Sequence, residues 1–400
     1  MKNRTHLSKP EREFCVGGPI PPQGYYVLRD RPEIQKIIEK LEVGKYFVIY
    51  APRQVGKTSL IQEVVQKFAQ DEKYLPLYLM FQNFGRSLSE TEFYQQLAAV
   101  LLRGLRSVLL QKEGDDKKLN GIEANASQSG WSFTHLLERL HQQLSCRLCL
   151  FIDEFEDIPQ AVLDDFLRTL RGIYLQKQIE PNYDILHSVG VIGVRSISQM
   201  TFARTSSPFN IHESIEIANF TLEQVNALLG QYTAETGEIF SQEVIHFIAD
   251  KTGGQPYLVN LVAKLLTTEI KPYTDERSIT LPDAEAAYWK MLNMRGNTNL
   301  DSIRRRIREE KNRKRLMTVI TRGNVRYNIN DETQEELITY GILREEGGYC
   351  VISNPAYAHT IVYSYMPWNN GTPEEFFPDG YQPLLNADGF INPHPVIGEE

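Results

Sequence analysis

Cysteine is scarce: Cys15, Cys146, Cys149 and Cys350 are the four in 400 residues. So few, so scattered, they exclude a disulfide-stapled secreted scaffold. Cys146 and Cys149 form a C-x-x-C on a predicted strand, with no second pair and no histidine pair nearby. Reduced core cysteines are the plain reading there, and a metal or redox site is the alternative. Long apolar runs are missing too, and none approaches a membrane span, so no membrane partner is expected. Residues 1–14 are polar without an apolar core, which reads as no signal peptide and a cytoplasmic setting. Positive charge is not in excess. Lys and Arg number 43 against 51 Asp and Glu, a net charge of −8. That argues against a wholly basic nucleic-acid coat and leaves room for a local basic patch. Hydrophobic content of 42% and charged content of 24% are ordinary for a soluble globular chain. The length exceeds one compact core, so two or three domains are expected.

What is present centres on residues 46–60. Tyr46 to Tyr50 is a short apolar run rich in β-formers and reads as a buried strand. The residues that follow, Ala51, Pro52, Arg53, Gln54, Val55, Gly56, Lys57, Thr58 and Ser59, contain A-x-x-x-x-G-K-T. Leu60, Ile61, Val64, Val65 and Phe68 then recur at helical spacing. Strand, tight loop and helix form the context of a phosphate-binding loop. Backbone N–H groups and the positive end of the helix face the phosphates. Lys57 reaches the β- and γ-phosphates, Thr58 offers its hydroxyl to Mg²⁺, and Gly56 permits close backbone approach. The strict motif opens with Gly where this chain has Ala51.

A lead-in of residues 1–30 precedes this stretch. Tyr25, Tyr26 and Arg29 read as packing and capping residues, with contact to a base as the alternative. Asp30 is the expected cap of a helix that begins near Pro32. Residues 75–81 are a second strand. Ser89 and Glu92 form a capping box for a long helix to about residue 110. Residues 112–130 read as a polar surface loop.

The strand at residues 147–152 ends in Asp153 and Glu154. A carboxylate at a strand's end supports Mg²⁺ through its water shell, and a second beside it orients or deprotonates the attacking water. Asp153 takes the first role and Glu154 the second. The strand at residues 186–194 ends at Arg195. In the usual order for this class it lies between the other two strands. Arg195 then points at the γ-phosphate as a sensor that distinguishes ATP from ADP, or forms an ordinary strand-end salt bridge.

Beyond residue 220 the pattern turns helical, with segments at about 221–235, 242–252, 256–269 and 282–293. Gly254 and Pro256 stand between two of them. Residues 304–315 hold eight basic side chains against Glu309 and Glu310. They read as a DNA-contacting run or as a solvated helix with internal Arg–Glu pairs. The order to residue 366 is helix, helix, hairpin through Gly347–Gly348, helix, which suggests a winged helix. Residues 367–400 form a proline- and aromatic-rich tail.

In combination, the loop, the h-h-h-h-D-E strand, the G-V-R strand end and G-x-P before a winged helix resemble the STAND class of P-loop ATPases, and in particular the prokaryotic AAA-like ATPase family. Matching stretches also run from Val16 to Val27, Ser207 to Ile211, Asn219 to Thr221, Gly254 to Asn260 and Asn354 to Tyr357. The resemblance implies an α/β P-loop core at residues 31–220, a helical lid at 221–293 and a winged-helix-like domain at 294–366. It implies a slowly hydrolysing, Mg²⁺-dependent ATP switch in signalling or defence, with its output in a partner protein or self-assembly. It places Pro256 near the base or ribose, with Gly254 allowing the turn. Ser196 replaces an acid often found after the sensor arginine, so any role of that acid is lost. A DNA-binding ATPase and a non-hydrolysing ATP-binding scaffold are the rival readings.

Overall fold

The computed structural model describes residues 9–18, 23–85, 87–114, 116–180, 182–194, 214–272 and 278–365. Arg195, the Ser207–Ile211 stretch and the tail from residue 367 lie outside the described residues. The chain divides into two compact units. One holds residues 29–51 and 57–217; the other holds the chain up to Leu28, Pro52–Gly56 and the chain from Ala218 onward.

The chain begins with two short strands, β1 (Glu13–Phe14) and β2 (Tyr25–Tyr26), paired in parallel. The sheet unit follows. Helix α1 (Pro32–Glu42) buries Ile34, Ile37 and Leu41. Its N-cap is Arg31, which makes no side-chain capping bond. Asp30, expected in that place, lies one residue too early, and Pro32 sets the first turn. Strand β3 (Tyr46–Tyr50), α2 (Lys57–Phe68), β4 (Tyr74–Met80), α3 (Glu90–Glu113), α4 (Gly130–Gln143), β5 (Arg147–Asp153), α5 (Gln160–Ile179), β6 (Ser188–Gly193) and β7 (Ser214–Glu216) complete it.

The five strands run in parallel in the order β4-β5-β6-β3-β7. The strand before Arg195 therefore does lie between the loop strand and the Asp-Glu strand. Val48 stands opposite Val191, and Leu150 opposite Val189. These central strands are apolar on both sides because both faces are covered. Side chains of α3, α4 and α5 share one continuous core with the sheet. The expected surface loop after α3 is tied down, because Leu119 and Ile122 are buried in that same core. Polar composition hid these two anchors. Cys149 is buried in β5 and its thiol is pushed up to about 12 by burial. All four cysteines are free, and no cluster of metal-ligating side chains occurs among the described residues.

The other unit is largely helical. It contains α6 (Leu222–Thr236), β8 (Ile239–Phe240), α7 (Gln242–Thr252), α8 (Pro256–Leu265), β9 (Ser278–Ile279), α9 (Leu281–Asn293), α10 (Thr298–Ile307) and α11 (Glu310–Arg322). Then come α12 (Glu332–Thr339), the antiparallel pair β10 (Leu343–Glu346) and β11 (Tyr349–Ile352), and α13 (Pro355–Tyr365). From α11 onward the order is helix, helix, hairpin, helix, as expected. Tyr26 packs here, its ring 4.8 Å from Phe14 and 5.9 Å from Tyr232, and is buried. Its role is core packing. Arg29, in the sheet unit, pairs with Glu63 at 2.7 Å.

His359 on α13 is buried, stacked on Tyr363 at 4.0 Å and edge-on to Trp289 at 4.9 Å. Burial among rings disfavours the imidazolium and lowers its pKa from 6.5 to about 4. The unfolded chain then takes up a proton at a higher pH than the folded one. The neutral ring's contribution is whole above pH 6.5 and is lost as pH falls from there towards 4. Chemical denaturation of this unit is expected to show falling stability across that interval, and a flatter profile in His359→Phe. An identical slope in the variant counts against His359 as the cause.

No helix among the described residues is long and apolar enough to cross a membrane.

Candidate nucleotide site

The loop after β3 turns on two left-handed residues. Gly56 has φ 87° and Gln54 has φ 63°. Glycine adopts this freely, whereas a side chain such as that of Gln54 makes it costly. Three bonds hold Gln54 in place. Its carbonyl accepts from Gln255 Nε2 at 3.1 Å. Its Nε2 donates to Thr298 Oγ1 at 2.7 Å, and its Oε1 accepts from Asn299 Nδ2 at 2.8 Å. All four residues belong to the helical unit, of which Pro52–Gly56 are part.

Within the sheet unit, Ala51 is buried and its N–H donates to Gly193 O at 3.3 Å. Lys57 Nζ donates to Ala51 O at 2.7 Å. Thr58 Oγ1 donates to Asp153 Oδ2 at 3.1 Å. Strand order explains this last bond. Thr58 opens α2 just after β3, and Asp153 ends β5, with only β6 between the two strands. Asp153 is 2% exposed, and Glu154 N–H donates to its Oδ1 at 2.9 Å. A further donor to Oδ2 is the Tyr78 hydroxyl, reaching across from β4. Burial, then the neighbouring Asp153, raises the Tyr78 pKa well above the usual phenol range, so the hydroxyl keeps its proton and donates.

Glu154 itself is left-handed, with φ 54° and ψ 44°. Its carbonyl accepts from Asp157 N at 2.9 Å in the turn that follows. Glu156 accepts from the backbone N–H of Val194 at 3.3 Å. It thereby ties the end of β6 to the turn after β5.

Gly254 and Pro256 lie in the helical unit. Gly254 has φ 64°, and its carbonyl accepts from Phe220 N at 2.8 Å. Pro256 opens α8, and Gln255 caps that helix by accepting from Leu258 N at 2.7 Å. The basic run divides between α10 and α11. Arg304 pairs with Asp301, Arg306 and Lys311 with Glu336, Lys314 with Glu310 and Arg315 with Asp331. Arg305, Arg308 and Arg313 are exposed, with no described ion pair.

Sequence reasoning missed Tyr78, Gln255 and the Thr298–Asn299 pair. Tyr78 left a faint signal, as a polar-tipped residue in an otherwise apolar strand. The others left none, because their partners are more than two hundred positions away along the chain.

A parallel five-stranded α/β sheet, with a glycine-containing loop after β3 and a carboxylate at the end of β5, defines a P-loop ATPase-like fold. The chain belongs to the family described as AAA-like domain, whose pattern matches residues 18–361. Its fold is similar to that of a Walker-type ATPase of Pyrococcus abyssi, with a TM-score of 0.58 and 15% identity over 84% of this chain and 96% of that one. The ORC2 protein of Aeropyrum pernix, solved in ADPNP-ADP complexes, aligns with a TM-score of 0.49 and 14% identity, covering 90% of this chain and 98% of that one. An uncharacterized WD repeat-containing protein, slr0143 of Synechocystis sp., is 24% identical over 243 residues, 59% of this chain. The chain spans 20% of the length of that curated relative.

Proposed function

We propose that the chain is an ATP-binding, slowly hydrolysing switch of the STAND type. The observation that carries this reading is the meeting of Thr58 Oγ1 and Asp153 Oδ2 at 3.1 Å, from positions 95 residues apart. Hydroxyl and carboxylate oxygens are hard donors and suit Mg²⁺, which takes few protein ligands and completes its shell with water and phosphate oxygens. Thr58 and Asp153 would hold it, and when bound it neutralises charge on the terminal phosphates.

In this reading residues 51–59 wrap the phosphates. Lys57 exchanges its bond to Ala51 O for phosphate oxygens. Tyr78 and the Glu154 N–H fix the Asp153 carboxylate, and Glu154 is assigned to orient the attacking water. Arg195 is assigned to the γ-phosphate, and Gly254 and Pro256 to the base side, by resemblance. The helices from 221 to 293 act as a lid and residues 294–366 as a winged-helix-like module. The output passes to a protein partner or to self-assembly, and the WD repeats in the name of the Synechocystis relative support such a role. Cytoplasmic placement is part of the same proposal.

Lys57→Ala is expected to weaken ATP binding roughly tenfold to a hundredfold, the worth of a hydrogen bond to a charged group. Calorimetry on a folded Lys57→Ala chain that finds the parent's ATP affinity would overturn the reading. Nucleic-acid binding stands second. Five of the eight basic residues are taken up in ion pairs, so Arg305, Arg308 and Arg313 carry it. It requires duplex binding that weakens steeply with salt and is lost on Arg308→Glu with Arg313→Glu.

A further inference from the structure

The tip of the loop is held by side chains from two helix starts, more than two hundred positions away along the chain. Gln255 precedes α8 and is 3% exposed. Its amide is committed at both ends, Oε1 accepting from Leu258 N at 2.7 Å and Nε2 donating to Gln54 O at 3.1 Å. Thr298 and Asn299 open α10, whose N-cap is the buried Asn297. Asn297 accepts from Leu300 N at 3.2 Å and donates to Met291 O at 3.2 Å, which fixes this helix start. From it Asn299 Nδ2 donates to Gln54 Oε1, and Thr298 Oγ1 accepts from Gln54 Nε2. The turn after α12 supports the same tip. A Cβ on Gly341 would stand 2.6 Å from the ring of Pro52, so glycine is what lets the turn reach the proline.

The conformation held in this way is the one an anion needs. Gln54 and Gly56 have positive φ, and Val55 between them does not. Alternating handedness turns successive N–H groups to one side and makes an anion-binding concavity. Glycine adopts positive φ freely, whereas the Cβ of Gln54 opposes it. The three bonds to Gln54 offset that opposition.

We propose that Gln255, Thr298 and Asn299 are positioning residues for the nucleotide phosphates: acting through Gln54, they hold the loop in its anion-binding shape. The role rests on the ATP reading for its ligand. None of the three needs to touch the nucleotide. The loop N–H groups cradle the α- and β-phosphates, which ATP and ADP share. The clamp therefore serves both nucleotides alike, unlike a γ-phosphate sensor, which separates them.

The test is a double-mutant cycle on the full chain. ATP and ADP affinities are measured by calorimetry with Mg²⁺, and amide hydrogen exchange of residues 53–57 is measured without nucleotide. Asn299→Ala should weaken both nucleotides by the same factor, about threefold to tenfold, the worth of one hydrogen bond, and should speed exchange in the loop. Gln54→Ala loses both side-chain bonds and keeps the left-handed strain. It should bind at least about fivefold more weakly than Gln54→Gly, in which the strain is gone. In the Gln54→Gly chain, Asn299→Ala should change nothing further, because the side chain it acts through is absent. Thr298→Val, at an exposed position, serves in the same cycle if Asn299→Ala fails to fold. Equal weakening by Asn299→Ala with glutamine and with glycine at position 54 overturns the proposal, since the residue then acts through the stability of α10. So do parent-like affinity and exchange in a folded Asn299→Ala chain, a loss confined to ATP, or equal affinities of Gln54→Ala and Gln54→Gly. A parent chain that binds neither nucleotide rejects the ATP reading instead. The exchange rates then judge the clamp by themselves, and rates unchanged by Asn299→Ala overturn it too.

Discussion

A Glu154→Gln chain is expected to bind Mg-ATP as tightly as the parent and to hydrolyse it at least about a hundredfold more slowly, the usual worth of a positioned acid or base. Two adjacent carboxylates end β5, and the proposed function gives them different roles. Asp153 is buried and has both oxygens engaged, Oδ1 by the Glu154 N–H and Oδ2 by Thr58 and Tyr78. A carboxylate so held is a fixed acceptor for a hydroxyl or a metal's water shell. Glu154 sits in a left-handed turn, φ 54°, which breaks the strand's alternation. For a residue with a Cβ this conformation costs about 1 kcal/mol or more. Glutamine preserves the shape and removes the proposed base. Phosphate release at saturating ATP, measured beside ATP affinity, decides the matter. Unaltered turnover assigns the water to another group.

The same residue yields a stability comparison. Glycine relieves the left-handed strain that alanine retains, so Glu154→Gly should unfold at higher denaturant than Glu154→Ala, by about 1 kcal/mol.

The sheet unit was largely legible in the sequence because its signals are local. Apolar runs of five to seven residues marked β3, β4 and β5, the loop motif fixed where β3 ends, and Asp153–Glu154 marked the end of β5. The capping box at Ser89 set one helix start to the residue. What failed was whatever depends on contact across the chain. The stretch after α3 looked like a free loop because Leu119 and Ile122 are two apolar residues in a polar segment, and burial of two side chains has no periodicity to detect. The basic run could be read as a nucleic-acid surface or as a solvated helix, and its partners Glu336 and Asp331, which pair with Arg306, Lys311 and Arg315, were not visible because they lie on or beside α12.

The site divides the same way. Lys57, Thr58, Asp153 and Glu154 were named from motifs, since phosphate and metal chemistry restrict the residue types at fixed spacing. Tyr78 and Gln255 were not, because a hydrogen bond to a carboxylate or a backbone carbonyl can come from many residue types and from any element that passes close by.

Gly254→Ala is expected to destabilise the helical unit by about 3 kcal/mol or more, through overpacking added to left-handed strain. Sequence reading gave Gly254 the task of allowing a turn near a base. Packing gives it a second task. A Cβ there would stand 1.9 Å from Phe220 O and 2.9 Å from Phe220 C. Both contacts are with backbone, so no side chain can swing aside. The bond from Phe220 N to Gly254 O, 2.8 Å long, draws the same two segments together and would have to lengthen. A control separates conformation from crowding. Gly323 has nearly the same φ, 65°, and nothing within 4 Å of its would-be Cβ. Gly323→Ala should therefore lose only about 1 kcal/mol, the left-handed penalty alone. Denaturant unfolding of both variants against the parent gives the difference, read from a probe in the helical unit because two compact units need not unfold as one. A larger loss than Gly323→Ala means that the close approach of residues 220 and 254 sets the turn from which Gln255 reaches Gln54 O. Equal losses would mean that the backbone around Phe220 yields easily, and that Gly254 is needed only for its φ.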